Sequence, residues 1–338
     1  MDEKVKTSAR QRMQGFCRVC PVCDGRACAG EVPGMGGTGT GSAFQENLRA
    51  LARIKIEMRT LHAVHHADTE LTLFGRRLSM PILISPLGGV RYNMTGSLNE
   101  GDYIRSMVDG ARQAGTLCGT GDGEVPEIFA GARQALEEFP QTALPFIKPW
   151  AHPQLDQRIE QLQSAGADVY GMDIDAAGLI TLKELGQPVY PKTPQEIQKI
   201  VRSSQMKLVL KGIMTPDEAK AAVDAGAMAI VVSNHGGRVL DHTPGTAQVL
   251  PEISREVNGT IPVLVDGGIR SGTDVFKMLA LGADAVMLGR PAAIAAIGGG
   301  AEALTKELQR FREELRQVMV MSGAANIDSI NRAHIRHL

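Results

Sequence analysis

The feature that most constrains this chain is a series of short, continuously apolar runs, each separated from the next by a stretch with helical character. The runs fall near residues 81–85, 116–119, 143–148, 168–173, 207–211, 228–233, 261–266 and 284–288. Unbroken apolar character, rather than alternation, marks strands whose two faces are both buried, as in a parallel sheet covered by helices. Four tripeptides, Ala114-Gly115-Thr116, Ala165-Gly166-Ala167, Ala225-Gly226-Ala227 and Leu281-Gly282-Ala283, precede every second run. Their glycines stand 51, 60 and 56 residues apart, about twice a βα unit of ~30 residues. The last helical stretch is the clearest, with Leu304, Leu308, Phe311, Leu315 and Val318 on one stripe and Gly323 as a stop. Eight such repeats predict an α/β fold, a (β/α)8 TIM barrel over residues 81–338. An open doubly wound sheet would carry a Gly-rich phosphate turn after its first strand, and none is present.

Residues 1–80 precede the barrel. They hold a cysteine cluster, a Gly-rich stretch from Gly34 to Gly41, a helix-like segment over 43–53 and a charged, strand-like stretch ending at Arg77. Large apolar residues are too few there for a separate core, so the segment is expected as an N-terminal extension packed on the barrel. His62, His65 and His66 lie in its charged part and read as surface residues. The formal net charge of −1 supplies no long-range field for nucleic acid or an anionic membrane. Met1-Asp2-Glu3-Lys4 opens no apolar leader, and no run reaches the length of a membrane span, so the expected location is cytoplasmic.

In a barrel of this kind the reactive groups sit at the C-terminal ends of the strands. Those positions hold Pro86-Leu87-Gly88-Gly89, Lys148, Asp173 and Asp175, Lys211, Ser233-Asn234-His235-Gly236-Gly237-Arg238, Asp266-Gly267-Gly268-Ile269-Arg270 and Gly289-Arg290. Glycines that expose backbone, paired with Arg270 and Arg290 after the last two strands, are what a phosphate requires.

From Leu208 to Ile335, and more weakly back to about residue 44, the chain resembles the FMN-dependent 2-hydroxy acid oxidases and dehydrogenases. That family includes glycolate oxidase, lactate oxidase and mandelate dehydrogenase. The likeness rests on Ser233-Asn234-His235-Gly236-Gly237-Arg238, Asp266 through Val275, Lys211-Gly212 and Gly289-Arg290-Pro291. The resemblance implies FMN as cofactor and oxidation of a small L-2-hydroxy acid, lactate-like, to the 2-oxo acid. By the same resemblance His235 is the base, Asp175 its orienting carboxylate, and Arg238 the two-point grip on the substrate carboxylate. Lys211 would stand beside the flavin. Pro86, Leu87, Gly88, Lys148, Ser233, Asp266, Gly267, Gly268, Arg270, Gly289 and Arg290 would line the cofactor site. A homotetramer is implied as well. The electron acceptor stays open between oxygen and a redox carrier, although Gly88, where oxidases of the family tend to have alanine, leans toward a carrier.

Three departures limit what the resemblance says of the substrate. No tyrosine stands near Gly34-Met35-Gly36. Lys148-Pro149-Trp150 replaces a Gln-x-Tyr after strand three. Leu182 and Lys183 occupy the place of a second arginine after strand four. Lys148, Trp150 and Lys183 are therefore candidate substrate contacts. Two other readings keep the barrel and the flavin loops: an isopentenyl diphosphate isomerase-like enzyme with no net redox change, and a non-catalytic flavin sensor.

Cys17, Cys20, Cys23 and Cys28 form C-x2-C-x2-C-x4-C. Four thiolates this close satisfy a tetrahedral zinc ion or an iron–sulfur cluster, and the tight first spacings favour the cluster. Four reduced cysteines in an extension is the alternative. Cys118, on a strand, reads as a small packed residue.

Overall fold

The computed structural model describes residues 1–123 and 125–337. Eight parallel strands close into a barrel: β1 (Ile82–Leu87), β2 (Cys118–Thr120), β3 (Ala143–Ile147), β4 (Val169–Asp173), β5 (Lys207–Ile213), β6 (Ala229–Val232), β7 (Val263–Val265) and β8 (Ala285–Leu288). Each pairs in parallel with its neighbours in sequence, and β8 pairs with β1 to close the ring. The TIM barrel read from the sequence is thus the observed fold.

Two helices precede the barrel, α1 (Glu3–Arg12) and α2 (Ser42–Arg53). One helix of two or more turns follows each strand: α3 (Glu100–Ala114), α4 (Pro126–Glu138), α5 (Gln154–Ser164), α6 (Pro194–Ser203), α7 (Pro216–Asp224), α8 (Thr246–Val257), α9 (Gly272–Ala280) and α10 (Arg290–Ser322). Their starts obey local chemistry. Thr193, Thr215 and Ser271 cap α6, α7 and α9 by accepting a backbone N–H, and proline opens α4, α6 and α7. The backbone leaves helical geometry at Gly299 and Gly300, so α10 is two helical pieces, the first lying against α1.

The barrel interior is filled, not hollow. Leu83, Leu144, Phe146, Val209, Val231, Leu264 and Met287 pack into one apolar cluster. A hairpin below it, Leu71–Leu73 paired with Arg76–Leu78 through Phe74-Gly75, adds Leu73, Phe74 and Leu78 to the same cluster and plugs the N-terminal mouth. The opposite, C-terminal mouth is left for chemistry. Ile54–Ile56 pairs antiparallel with Ile335–His337, joining the leading segment to the end of the chain.

Candidate active site

At the C-terminal mouth β4 and β5 place Asp173 directly opposite Lys211 in register. Lys148, just past β3, donates to Asp173 Oδ2 at 2.7 Å, and Lys211 Nζ stands 3.1 Å from Oδ1. All three side chains are buried. Burial would raise the Asp173 carboxyl, but the Lys148 and Lys211 ammonium groups outweigh it and hold the group well below the usual carboxylate range. The same contacts overcome burial at Lys211 and keep it charged. Asp266, 3.8 Å from Lys211, is pushed up by burial.

The loop after β6 carries the next groups. His235, Gly236 and Gly237 all take positive φ, so the chain turns in a left-handed arc that delivers His235 and Arg238 to the same side. A Cβ at Gly237 would collide with the backbone of Phe44 on α2, so the arc and the helix require glycine there. His235 Nδ1 lies 3.1 Å from Asp175 Oδ1, which leaves Nε2 for the cleft that the ring lines. Burial and the nearby Lys211 charge lower the imidazole pKa, and Asp175 opposes them without cancelling them. Arg238 donates to the Gly34 carbonyl and to Asn93 Oδ1, the latter at 2.9 Å. Asn47 of α2 exchanges amide hydrogen bonds with Asn234 and fixes the loop from outside.

After β7 and β8 come two further cationic groups, Arg270 and Arg290. Arg290 donates to the carbonyls of Met35, Gly36 and Gly236 at 2.8, 3.0 and 3.1 Å and stacks 3.7 Å over the Phe44 ring. Burial and the neighbouring Arg270 bring its pKa down to about 10. Arg290 also opens α10, whose N-terminus adds the positive end of its dipole. Ser85 Oγ, Asp266 Oδ1 and Arg270 Nε are buried with no hydrogen-bond partner among the described residues, and all three residues line the cleft. A cleft of about 1070 Å³, counted to its open mouth, joins these groups.

Pro86, Leu87, Gly88, Lys148, Lys211, His235, Arg238, Asp266, Gly267, Gly268, Arg270, Gly289 and Arg290 all border that cleft. Other expected site residues lie elsewhere. Asp175 sits behind His235. Ser233 is fully buried and accepts from the His235 amide, so it shapes the loop instead of lining the cleft. Trp150 is also fully buried, its indole donating to Asp122 Oδ2 at 2.5 Å, and the reading of it as a substrate contact is corrected. Lys183 is exposed on the one-turn helix Ile180–Glu184, whose Thr181 and Leu182 line the cleft. Lys148 lines the cleft, but its charge is matched by Asp173.

Sequence reasoning assigned no role to Asp173, Asn93 or Asn47. Asp173 had a legible signal, since its strand-end position faces Lys211 across one ladder rung. Asp173, Asp175 and His235 offer ligand atoms within 4.8 Å of one another. With two lysines already on Asp173, this set serves proton chemistry better than a metal. Cys17, Cys20, Cys23 and Cys28 surround a smaller hollow next to the cleft, and Cys118 is buried in β2.

Residues 34–184 and 183–337 match the family model described as FMN-dependent dehydrogenase. A glycolate oxidase of Spinacia oleracea is 29% identical over 332 residues, covering 86% of each chain. A 2-hydroxyacid oxidase of Dictyostelium discoideum is 31% identical over 318 residues, covering 86% of this chain and 81% of its own length. Among solved structures, a mandelate oxidase variant with a C4a-hydroxy-FMN adduct superposes with a TM-score of 0.78 at 27% identity, covering 99% of both chains. The chain therefore belongs to the FMN-dependent dehydrogenase family, with the glycolate and mandelate oxidases among its relatives, and is an FMN-dependent oxidoreductase.

Proposed function

We propose that this protein oxidises a small, lactate-like L-2-hydroxy acid to the 2-oxo acid, with His235 as the base and Arg238 as the carboxylate grip. The observation that carries this reading is the His235–Asp175 pair at 3.1 Å, on the same cleft as Arg238 and Lys211. The orphaned Ser85, Asp266 and Arg270 atoms, and the cationic Arg270–Arg290 corner at a helix N-terminus, fit a flavin mononucleotide. Pro86 to Gly88, Lys211 and Asp266 would hold its ring end and ribityl chain, and Gly268, Arg270, Gly289 and Arg290 its phosphate. When bound, FMN accepts the two electrons of the oxidation.

The chain's own groups do the rest. Arg238, braced by Gly34 and Asn93, orients the substrate by its carboxylate. His235, kept neutral by burial and by Lys211, takes a proton at Nε2, and Asp175 stabilises the imidazolium that results. Lys211 keeps a fixed positive charge on the cleft floor. Met94, Leu179 and Leu182 supply apolar wall, which favours a substrate with an apolar side chain. The electrons then leave to oxygen or to a redox carrier.

Anaerobic titration of the flavoprotein with a panel of 2-hydroxy acids tests this directly. Bleaching of the visible flavin absorbance by lactate-like acids is the expected result. Flavin that stays oxidised with every acid would overturn the reading in favour of an isomerase or a sensor.

A further inference from the structure

Four thiols spaced as Cys17, Cys20, Cys23 and Cys28 could be scattered along a loop, yet the chain gathers all four around one enclosed hollow. Each is partly buried and none is in a disulfide. The loop is pinned from several sides. Val19, within it, takes a positive φ, and Gly25 presses on the Phe44 ring closely enough that a Cβ would come within 2.7 Å. Met35 and Arg290 form the wall shared with the cleft, since both line the two cavities. Arg270 points the other way across that wall, donating to Cys23 Sγ at 3.5 Å.

The spacing of the cysteines along the chain favours one of the two metal centres that four thiolates can hold. A single zinc ion at Zn–S of ~2.3 Å draws its thiolates to within ~4 Å of one another. A cubane cluster takes one thiolate on each of four irons at its corners, and its ligands stand wider apart. The first three cysteines have the C-x2-C-x2-C spacing of cluster-binding runs, and the fold returns Cys28 to the same hollow as the fourth ligand.

We propose that Cys17, Cys20, Cys23 and Cys28 bind a [4Fe–4S] cluster against the Arg290 wall of the cleft. A cluster there would let the two electrons of hydroxy-acid oxidation leave singly, to a one-electron protein carrier in place of oxygen. That consequence rests on the proposed function; the metal site itself does not.

The test is anaerobic reconstitution of the full-length FMN-loaded protein with ferrous iron and sulfide, followed by iron and acid-labile sulfide analysis and EPR of the dithionite-reduced sample. About four irons and four sulfides per chain are expected, with a reduced-cluster signal. Cys20→Ser combined with Cys23→Ser should lose most of both, and Cys118→Ser neither. FMN content and circular dichroism of the double variant check that the barrel still folds. One zinc and no sulfide per chain, no metal under any condition, or a cluster that survives in the double variant would each overturn the proposal. A cluster that forms in a protein whose flavin no hydroxy acid bleaches would sink the substrate reading and leave the metal site standing.

Discussion

The basicity of His235 is set by neighbours that pull in opposite directions. Burial and Lys211 favour the neutral ring, while Asp175 favours the charged one, and the balance falls below the ordinary imidazole value of about 6.5. A base with a lowered pKa stays unprotonated on the acid side of its ordinary value, so the acid limb of kcat/KM should lie below pH ~6.5. Asp175→Asn removes the larger of the two carboxylates that raise it, leaving the smaller influence of Asp173. The limb should move to still lower pH while kcat falls, and a pH–rate profile that does not move would remove Asp175 from this role. His235→Ala should cut flavin reduction by about 10²–10⁴-fold with FMN still bound, measured by anaerobic stopped flow. Asp173 acts on stability as well. Its carboxyl titrates far below the unfolded value, so its contribution is complete at neutral pH and is lost as pH falls through the depressed pKa. Asp173→Asn strands two buried ammonium groups and should cost about 3–5 kcal/mol in urea unfolding. The sequence makes His235, Arg238 and Lys211 legible because a motif fixes their positions on strand ends. It misplaces Trp150 and Lys183, because which way a side chain faces past a strand end depends on packing that no motif carries.

At the scale of elements, what is readable is what repeats. Parallel strands buried on both faces leave apolar runs, and all eight runs read from the sequence hold a barrel strand. The three-residue strands Ile54–Ile56 and Ile335–His337 leave no period to detect, and their pairing joins residues at opposite ends of the chain. Helix α10 is visible from its stripe only over 304–318, because its first part is alanine-, isoleucine- and glycine-rich and buried all round. Contacts between helices are invisible in the same way. Gly272, at the start of α9, lies so near α10 that a Cβ would collide with the Leu315 amide nitrogen and the Phe311 carbonyl oxygen. Both are backbone atoms inside a helix and cannot swing aside. Gly272→Ala should therefore destabilise the protein by about 1–3 kcal/mol, seen as a lower urea midpoint with an unchanged slope. A variant as stable as the parent would mean that α9 and α10 are free to separate.

Over the whole molecule the net charge of −1 hides an uneven distribution, since Arg238, Arg270 and Arg290 meet at one mouth of the barrel. Arg290 joins two parts of the protein there. It begins the helix that would receive a phosphate, and through the Met35 and Gly36 carbonyls it holds the leading segment onto the barrel. These two duties separate in thermal unfolding. A ligand that binds only the folded state adds RT ln(1 + [L]/Kd), about 2.7 kcal/mol at a hundredfold excess over Kd, so removing FMN should lower the Tm of the parent protein by several degrees. Arg290→Met keeps much of the side chain's length and apolar body but removes its charge and its hydrogen-bond donors. It should shrink the gap between FMN-loaded and FMN-free protein, because the phosphate loses a cation. It should also lower the Tm of the FMN-free protein, because three carbonyls lose their donor. A variant with an unchanged FMN-free Tm and a reduced gap would assign Arg290 to the phosphate alone. A lowered FMN-free Tm with the full gap retained would make it a structural joint, and would shift the phosphate to Arg270 and the backbone around Gly289.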